Sequence, residues 1–171
     1  MGDIVFTHFT HDQLVGGVHA IAGAVVDWSP TLLVGVGRGG LTPAVYLSHR
    51  IGLPLVSIDY STRITQFAEE LVAVLAQRTR EGERLLFIED INDSGKTIGE
   101  LRAALAAEGA VAEQVRFAVL LDNVRSSQRV EYCAETIDRA VQKDWFVFPW
   151  EAMAPQTSLD ADAREVPDRL S

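Results

Sequence analysis

Apolar residues along this chain fall into short runs separated by longer stretches of mixed character. Four of the runs have the length of buried strands, at 31–36, 55–58, 85–88 and 115–121. The stretch before the first run has apolar residues at helical spacing and predicts a helix from about Asp12 to Asp27, with Thr10 as its cap. Strands that alternate with amphipathic helices predict an α/β fold with a largely parallel, twisted sheet flanked by helices.

Glycine and proline residues indicate where the later helices begin and end. The second helix is expected to start near Thr42-Pro43, after a glycine-rich turn at 37–40, and to stop at Gly52. Gly109 has the position of a left-handed residue that ends a helix. The other expected elements are helices at 64–80 and 97–108, short strands at 132–136 and 145–148, and a loosely ordered tail at 152–171.

Composition narrows the class of protein. With 171 residues, of which 47% are hydrophobic, the chain can bury the core of one domain, which is expected at 1–151. Its net charge of −9 gives no electrostatic reason to bind nucleic acid or an anionic membrane. The single cysteine, Cys133, cannot form an internal disulfide, and the first ten residues do not resemble a signal peptide, so a cytoplasmic protein is expected.

Residues 85–97 carry the most informative chemistry. An apolar run leads into two adjacent carboxylates, Glu89 and Asp90, and Asp93 then opens a small-residue turn, 94–97, into a helix. Small residues at a helix amino terminus let a phosphate approach unpaired N–H groups, and the hydroxyls can add hydrogen bonds. The two carboxylates, which precede this turn in the sequence, can accept hydrogen bonds from two vicinal hydroxyls or hold Mg²⁺. The segment therefore predicts a site for a ribose phosphate.

The same segment fits two other interpretations. Gly95-Lys96-Thr97 matches the end of a nucleoside-triphosphate P-loop, but Asp90 stands where that pattern needs its first glycine. Asp93 and Ser94 are also suited to a simple helix cap, with Glu89 and Asp90 at the solvated end of a strand. The combination of these pieces directly after a buried strand favours the ribose-phosphate site.

Residues 85–97 closely resemble the motif that binds phosphoribosyl pyrophosphate (PRPP) in type I phosphoribosyltransferases. Among these, the chain is most similar to xanthine-guanine phosphoribosyltransferases and related purine salvage enzymes, from Thr31 to about Glu151. The resemblance implies a small carboxy-terminal hood at about 122–151, a homodimer or homotetramer, and Mg²⁺ as cofactor. It also implies transfer of the 5-phosphoribosyl group from PRPP to a nucleobase, a purine, with release of pyrophosphate.

The resemblance further implies a role for each residue of the motif. Glu89 and Asp90 would bind the ribose hydroxyls and the metal, and Asp93 would be the acid/base group beside the imidazole part of the purine. Residues 35–41 are similar to the family's pyrophosphate loop, in which an Arg-Gly peptide, often cis, turns its N–H toward the leaving group; alone, they would indicate only a turn. The implied PRPP site consists of Arg38, Gly39, Glu89, Asp90, Asp93, Ser94, Gly95, Lys96 and Thr97, with Arg38 and Asp93 as its catalytic residues.

Residues 144–151 resemble the carboxy-terminal part of the hood, where an aromatic ring stacks on the base. Trp145 is expected to be that ring, with Phe146 beside it, whereas Trp150 is expected in a core or dimer contact. The oxopurine enzymes place a lysine after the fourth strand, but this chain has Asp122-Asn123 there. Asn123 is therefore expected to bind the base, which need not be a standard oxopurine.

The sequence is also compatible with two rival functions. A regulator that senses PRPP without turnover would be expected to carry a basic face, and the chain has no Lys/Arg cluster. A metal-dependent phosphate-ester hydrolase would need further clustered ligands. The resemblance also places a mobile cover at 60–83, in which Arg63 is either a pyrophosphate ligand or a simple exposed arginine.

Overall fold

The computed structural model describes residues 4–59 and 65–164. Its strands are Phe6–His8 (β1), Leu32–Val36 (β2), Leu55–Ile58 (β3), Leu85–Asn92 (β4), Val115–Asn123 (β5), Tyr132–Ile137 (β6) and Trp145–Val147 (β7). Its α-helices are His11–Ala24 (α1), Gly37–Ile51 (α2), Thr65–Arg80 (α3), Lys96–Ala107 (α4) and Gln156–Arg164 (α5). The residues of the expected cover at 60–64, with Arg63, lie outside the described residues, and α3 occupies most of the remainder.

Five strands form one parallel sheet in the order β3-β2-β4-β5-β6. Alternate residues of each strand face opposite sides, so Leu33 and Leu86 pack in the core with α1 and α2, whereas Val34 and Phe87 pack in the core with α3 and α4. The predicted parallel sheet flanked by helices is confirmed. A separate parallel pair, β1 with β7, was not anticipated from the three-residue segment Phe6–His8.

The order of the strands creates a crevice. The chain passes from β2 to β3 on one side, and then returns to place β4 on the other side of β2. In open α/β sheets such a reversal leaves a gap at the carboxyl ends of the two central strands, where ligands bind. Here the ends of β2 and β4 lead directly into the amino-terminal regions of α2 and α4.

Several boundaries differ from expectation. Helix α2 begins at Gly37, so residues 37–40 form its first turn, and Pro43 lies inside the helix. Close packing requires glycine in this turn, because a Cβ on Gly40 would collide with the carbonyl oxygen of Ile88 in β4. Every peptide bond within the described residues is trans, including Arg38–Gly39.

Strand β4 continues through Asn92, four residues past its expected end. Glu89 and Ile91 pair with Val119 and Leu121 of β5, so the acidic pair lies within the sheet and not in a loop. Helix α1 has the predicted cap, in which Thr10 Oγ accepts a hydrogen bond from the Gln13 N–H at 3.1 Å. It ends at Ala24, before the expected Asp27.

Part of the expected tail is helical. Residues 156–164 form α5, which buries Leu159 and Ala163 against the domain, whereas 165–171 lie outside the described residues. The two apolar residues are four positions apart, a spacing that puts them on one helix face. Over the described part of the chain, none of the helices has the length and apolar character needed to cross a bilayer.

The approach of α2 to β4 can be tested with two matched glycine substitutions. Gly40→Ala is expected to lower the free energy of unfolding by about 2 to 4 kcal/mol, because the added methyl meets backbone atoms that cannot move aside. Gly16→Ala in α1, where a Cβ meets nothing within 4 Å, should raise it by up to about 1 kcal/mol. Urea denaturation of both variants makes the comparison; equal effects would contradict the packing described here.

Candidate active site

The acidic pair lies at the edge of the crevice. Glu89 and Asp90 are neighbours in the last half of β4, and both are partly buried. The Ile91 N–H donates a hydrogen bond to Asp90 Oδ1 at 2.8 Å. A Cβ on Gly39 would collide with the Asp90 carboxylate, so the first turn of α2 rests directly on this acid. Only glycine leaves room for the carboxylate at that point.

Burial makes this pair unusually basic. Desolvation raises the pKa of Glu89 to about 8, and the neighbouring charge of Asp90 adds to the increase. Desolvation also raises the pKa of Asp90 to about 6, a rise that the Ile91 hydrogen bond opposes and the charge of Glu151 assists. A cation bound at this edge would stabilise the ionised forms of both acids and so lower both pKa values. The pair is therefore suited to hold a metal or accept from hydroxyls.

The predicted phosphate loop follows β4. Gly95 has φ of 87° and stands just before α4, in a left-handed conformation that side-chain-bearing residues rarely adopt. A Cβ there would lie 2.5 Å from Ser127 Oγ. The Ser127 N–H and Oγ both donate to the Ser94 carbonyl, at 3.1 and 2.8 Å. Residues 89–98 line a cavity of about 220 Å³ above this turn, so the expected acids and small residues do meet in one place.

A buried amide supports the loop from below, and the sequence did not reveal it. Asn92 is 1% exposed. Its Nδ2 donates to Asp122 Oδ1 at 2.7 Å and to the Gln128 carbonyl at 2.9 Å, and its Oδ1 accepts from Ser126 Oγ at 2.8 Å. These bonds fix the loop against the connection between β5 and β6. The sequence predicted that the strand ends at residue 88, so it gave no sign that Asn92 would be buried.

Asp93 has a partner that sequence reasoning also missed. Arg139, between β6 and β7, donates from Nε to Asp93 Oδ1 and from Nη2 to Asp93 Oδ2, both at 3.1 Å. Burial lowers the pKa of the Arg139 guanidinium, while the charge of Asp144 raises it. A carboxylate this close to the core usually has a cationic partner. The presence of arginines in the hood was therefore the one sign of this pair in the sequence.

The residues expected to bind the base lie near this ion pair. Asn123 is buried and its amide is engaged by the protein: Nδ2 donates to the Asp93 carbonyl at 2.9 Å, and Oδ1 accepts from the Arg125 and Arg139 N–H groups. Phe146 is only 8% exposed and lies under the Arg139 guanidinium. In this structure both residues position neighbouring groups.

The two hood tryptophans occupy different environments. Trp145 is partly buried at the start of β7, where its backbone N–H donates to the Val5 carbonyl at 2.8 Å. Trp150 stacks on Phe148 with ring centroids 4.9 Å apart and packs against the core, as expected of a core contact. Trp150 also lines the larger cavity beside Arg38, and the stacking role expected of Trp145 stays a prediction.

A second, larger cavity lies on the α2 side of Asp90. It has a volume of about 720 Å³ and is bounded by Arg38 and Gly39 and by residues of the segment 150–162. Burial raises the pKa of Glu151 and the charge of Asp162 adds to this, whereas Arg38 opposes it. Helix α5, which was expected to be irregular, thus forms one wall of the space beside Arg38.

The acidic pair predicts a pH dependence of stability. Because the pKa of Glu89 is raised to about 8, the folded protein holds a proton that the unfolded chain has released above its ordinary pKa of 4.5. The free energy of unfolding should therefore fall by roughly 1 to 4 kcal/mol as the pH rises from about 4.5 to about 8.

Denaturation of the parent and of Glu89→Gln across this pH window measures the effect. The neutral variant should lose most of the decrease, and the exposed control Glu135→Gln should keep it. A Glu89→Gln profile as steep as that of the parent would show that Glu89 does not titrate in this way.

Comparison with known proteins identifies the family. The family model described as "Phosphoribosyl transferase domain" matches residues 14–156. A xanthine-guanine phosphoribosyltransferase of Cereibacter sphaeroides is 25% identical over 153 residues, which cover 84% of this chain and 86% of the relative.

Two solved structures show the extent of the similarity. A purine phosphoribosyltransferase from Pyrococcus horikoshii superposes with a TM-score of 0.64 at 25% identity, covering 88% of this chain and 97% of that one. A hypothetical protein from Neisseria gonorrhoeae with bound ppGpp shares the fold, with a TM-score of 0.66 at 16% identity over 96% of this chain and 99% of its own. The predicted fold and the predicted glycosyltransferase class are confirmed. The chain belongs to the phosphoribosyl transferase domain family.

Proposed function

We propose that this protein transfers the 5-phosphoribosyl group from PRPP to a purine base and releases pyrophosphate. The observation that carries the proposal is the β4–α4 connection, where an acidic pair, a left-handed glycine and a helix amino terminus surround one small cavity. The family match and the purine enzymes among the relatives support it.

In this proposal the loop Asp93–Thr97 binds the 5′-phosphate of the donor. The first N–H groups of α4 have no partner within the helix, and the helix dipole favours an anion there. Lys96 is exposed and adds a positive charge at the rim. Glu89 and Asp90, which lie in β4 just before this loop, accept hydrogen bonds from the ribose hydroxyls.

The same two acids would hold Mg²⁺. The described residues contain no group of three or more side chains arranged to bind a metal, but Mg²⁺ is commonly bound by one or two carboxylates together with substrate phosphates and water. Their raised pKa values fit a pair that loses protons when a cation binds. When bound, Mg²⁺ would neutralise charge on the pyrophosphate.

The chain's own groups then stabilise charge and hold geometry. Arg38 and the Gly39 backbone line the larger cavity and would bind the departing pyrophosphate. Asp93, oriented by Arg139, holds the proton of the incoming base. We assign base stacking to Trp145, with Phe146 and Asn123 as positioning residues. A cytoplasmic homodimer or homotetramer stays a prediction.

Pyrophosphate release tests the proposal. The parent is expected to release pyrophosphate from PRPP only when Mg²⁺ and a purine are both present. Asp90→Asn should lower kcat/KM by about a hundredfold, the size seen when one preorganised charge-stabilising group is removed. The exposed control Glu135→Gln should match the parent.

The alternative functions give different results in the same assay. Release without any base would indicate a hydrolase. Binding of PRPP with no release for any base would indicate a non-enzymatic regulator that senses PRPP. Either result would contradict the transferase proposal.

A further inference from the structure

The ion pair between Asp93 and Arg139 has an unusual setting. Both guanidinium–carboxylate bonds are 3.1 Å long, and the side chains of Arg139 and Asp93 are only 9% and 15% exposed. A buried ion pair of this kind contributes little net stability compared with apolar residues of the same volume, because both charges lose their hydration. Stability alone therefore does not explain the pair.

The guanidinium is held on every side. Nη1 donates to the Gln142 carbonyl at 3.2 Å and to the Asp144 carbonyl at 2.7 Å, and the Phe146 ring lies 5.0 Å from Cζ. These two bonds and the two to Asp93 use four of the guanidinium's five N–H groups. Within the described residues, the second hydrogen of Nη2 has no protein partner.

The nitrogen that carries this hydrogen is hydrogen-bonded to a residue of the candidate site. Asp93 lines the loop cavity, and Nη2 is 3.1 Å from Asp93 Oδ2. An ionised carboxylate only accepts hydrogen bonds and a guanidinium only donates them. The acceptor Asp93, which lines the loop cavity, thus has a donor fixed directly beside it.

Asn123 makes the spacing rigid. Its Nδ2 bonds the Asp93 carbonyl, and its Oδ1 accepts from the Arg139 N–H at 3.3 Å, so one buried amide ties the main chains of both partners to the end of β5. The two groups are held by main-chain bonds as well as by their own ion pair. A ligand would meet a preorganised edge.

We propose, on the basis of the function proposed above, that Asp93 and Arg139 together select a 6-oxopurine. A 6-oxopurine presents O6, an acceptor, next to N7, whereas adenine presents an amino donor at the same place. O6 would accept from Arg139 Nη2 while N7–H donates to Asp93. The adenine amino group would instead face the guanidinium, donor against donor. Arg139 thereby supplies from the hood a cationic donor in place of the lysine that is absent at Asp122-Asn123, at the end of β5.

Base preference tests this inference. Steady-state kcat/KM is measured with PRPP and Mg²⁺ for hypoxanthine and for adenine. The parent should prefer hypoxanthine, and Arg139→Gln should lower the hypoxanthine-to-adenine ratio by about ten- to a hundredfold, as expected for loss of a hydrogen bond to a charged group. Arg139→Lys, which keeps a charged donor beside Asp93 but loses the planar fork, should lower the ratio by a smaller factor, and it is the test variant if the glutamine variant does not fold.

Arg125→Gln is the matched control. Arg125 forms a similar pair with Asp138 in the same hood, but that pair is exposed and does not involve Asp93. Its substitution should leave the ratio unchanged.

The outcomes separate this inference from the function on which it depends. A parent that prefers adenine, or a ratio that neither Arg139 substitution alters, would overturn the inference while the transferase stands. No base-dependent pyrophosphate release by the parent would overturn the proposed function itself. The dissociation constant of each variant for PRPP, measured by calorimetry, should stay within about threefold of that of the parent. This control shows that a changed hypoxanthine-to-adenine ratio comes from recognition of the base and not from binding of the donor.

Discussion

The parallel pairing of β2 with β4 is the constraint on which the site depends. These strands are separated by α2, β3 and α3 in the chain, yet their register sets Gly35 beside Ile88. The start of α2 is thereby brought against the acids that follow Ile88 in β4. Gly39 and Gly40 lie so close to β4 that a side chain at either position would collide with it. The proposed positions of Arg38, Gly39 and the acidic pair all depend on this contact between α2 and β4.

The charges of the site follow from the same packing. Because α2 and the hood cover the end of β4, Glu89 and Asp90 lose water, and their pKa values rise. Asp93, only three residues further on, has Arg139 as a partner. Two kinds of carboxylate thus stand along one short segment: a pair suited to take up a cation, and a paired acid suited to orient a base. Burial and the choice of partner, and not residue type, distinguish them.

The sequence predicted the central strands well because each is a continuous apolar run buried on both faces. It also located the acids and small residues of the loop, which are contiguous and carry their chemistry locally. It placed the start of α2 wrongly, because glycines favour a turn unless packing elsewhere requires a helix. The ladder with β5 similarly extended β4 past Glu89, which local pattern could not indicate.

Contacts between residues that are distant in the chain could not be predicted from the sequence. Arg139 is 46 residues from Asp93, and Ser126 is 34 residues from Asn92. Helix α5 was missed because two apolar residues, Leu159 and Ala163, are a weak signal in a polar segment. The family resemblance pointed to the correct region, but the roles of Arg139 and Asn123 depend on contacts that only the folded chain reveals.

Calorimetric titration with PRPP and Mg²⁺ tests the central claim most directly, when performed near pH 7 in two buffers of different ionisation enthalpy. One donor should bind per chain, and the apparent enthalpy should differ between buffers because Glu89, with a pKa of about 8, releases a proton as the cation binds. Absence of binding heat would contradict the account, and so would saturable binding whose enthalpy is the same in both buffers.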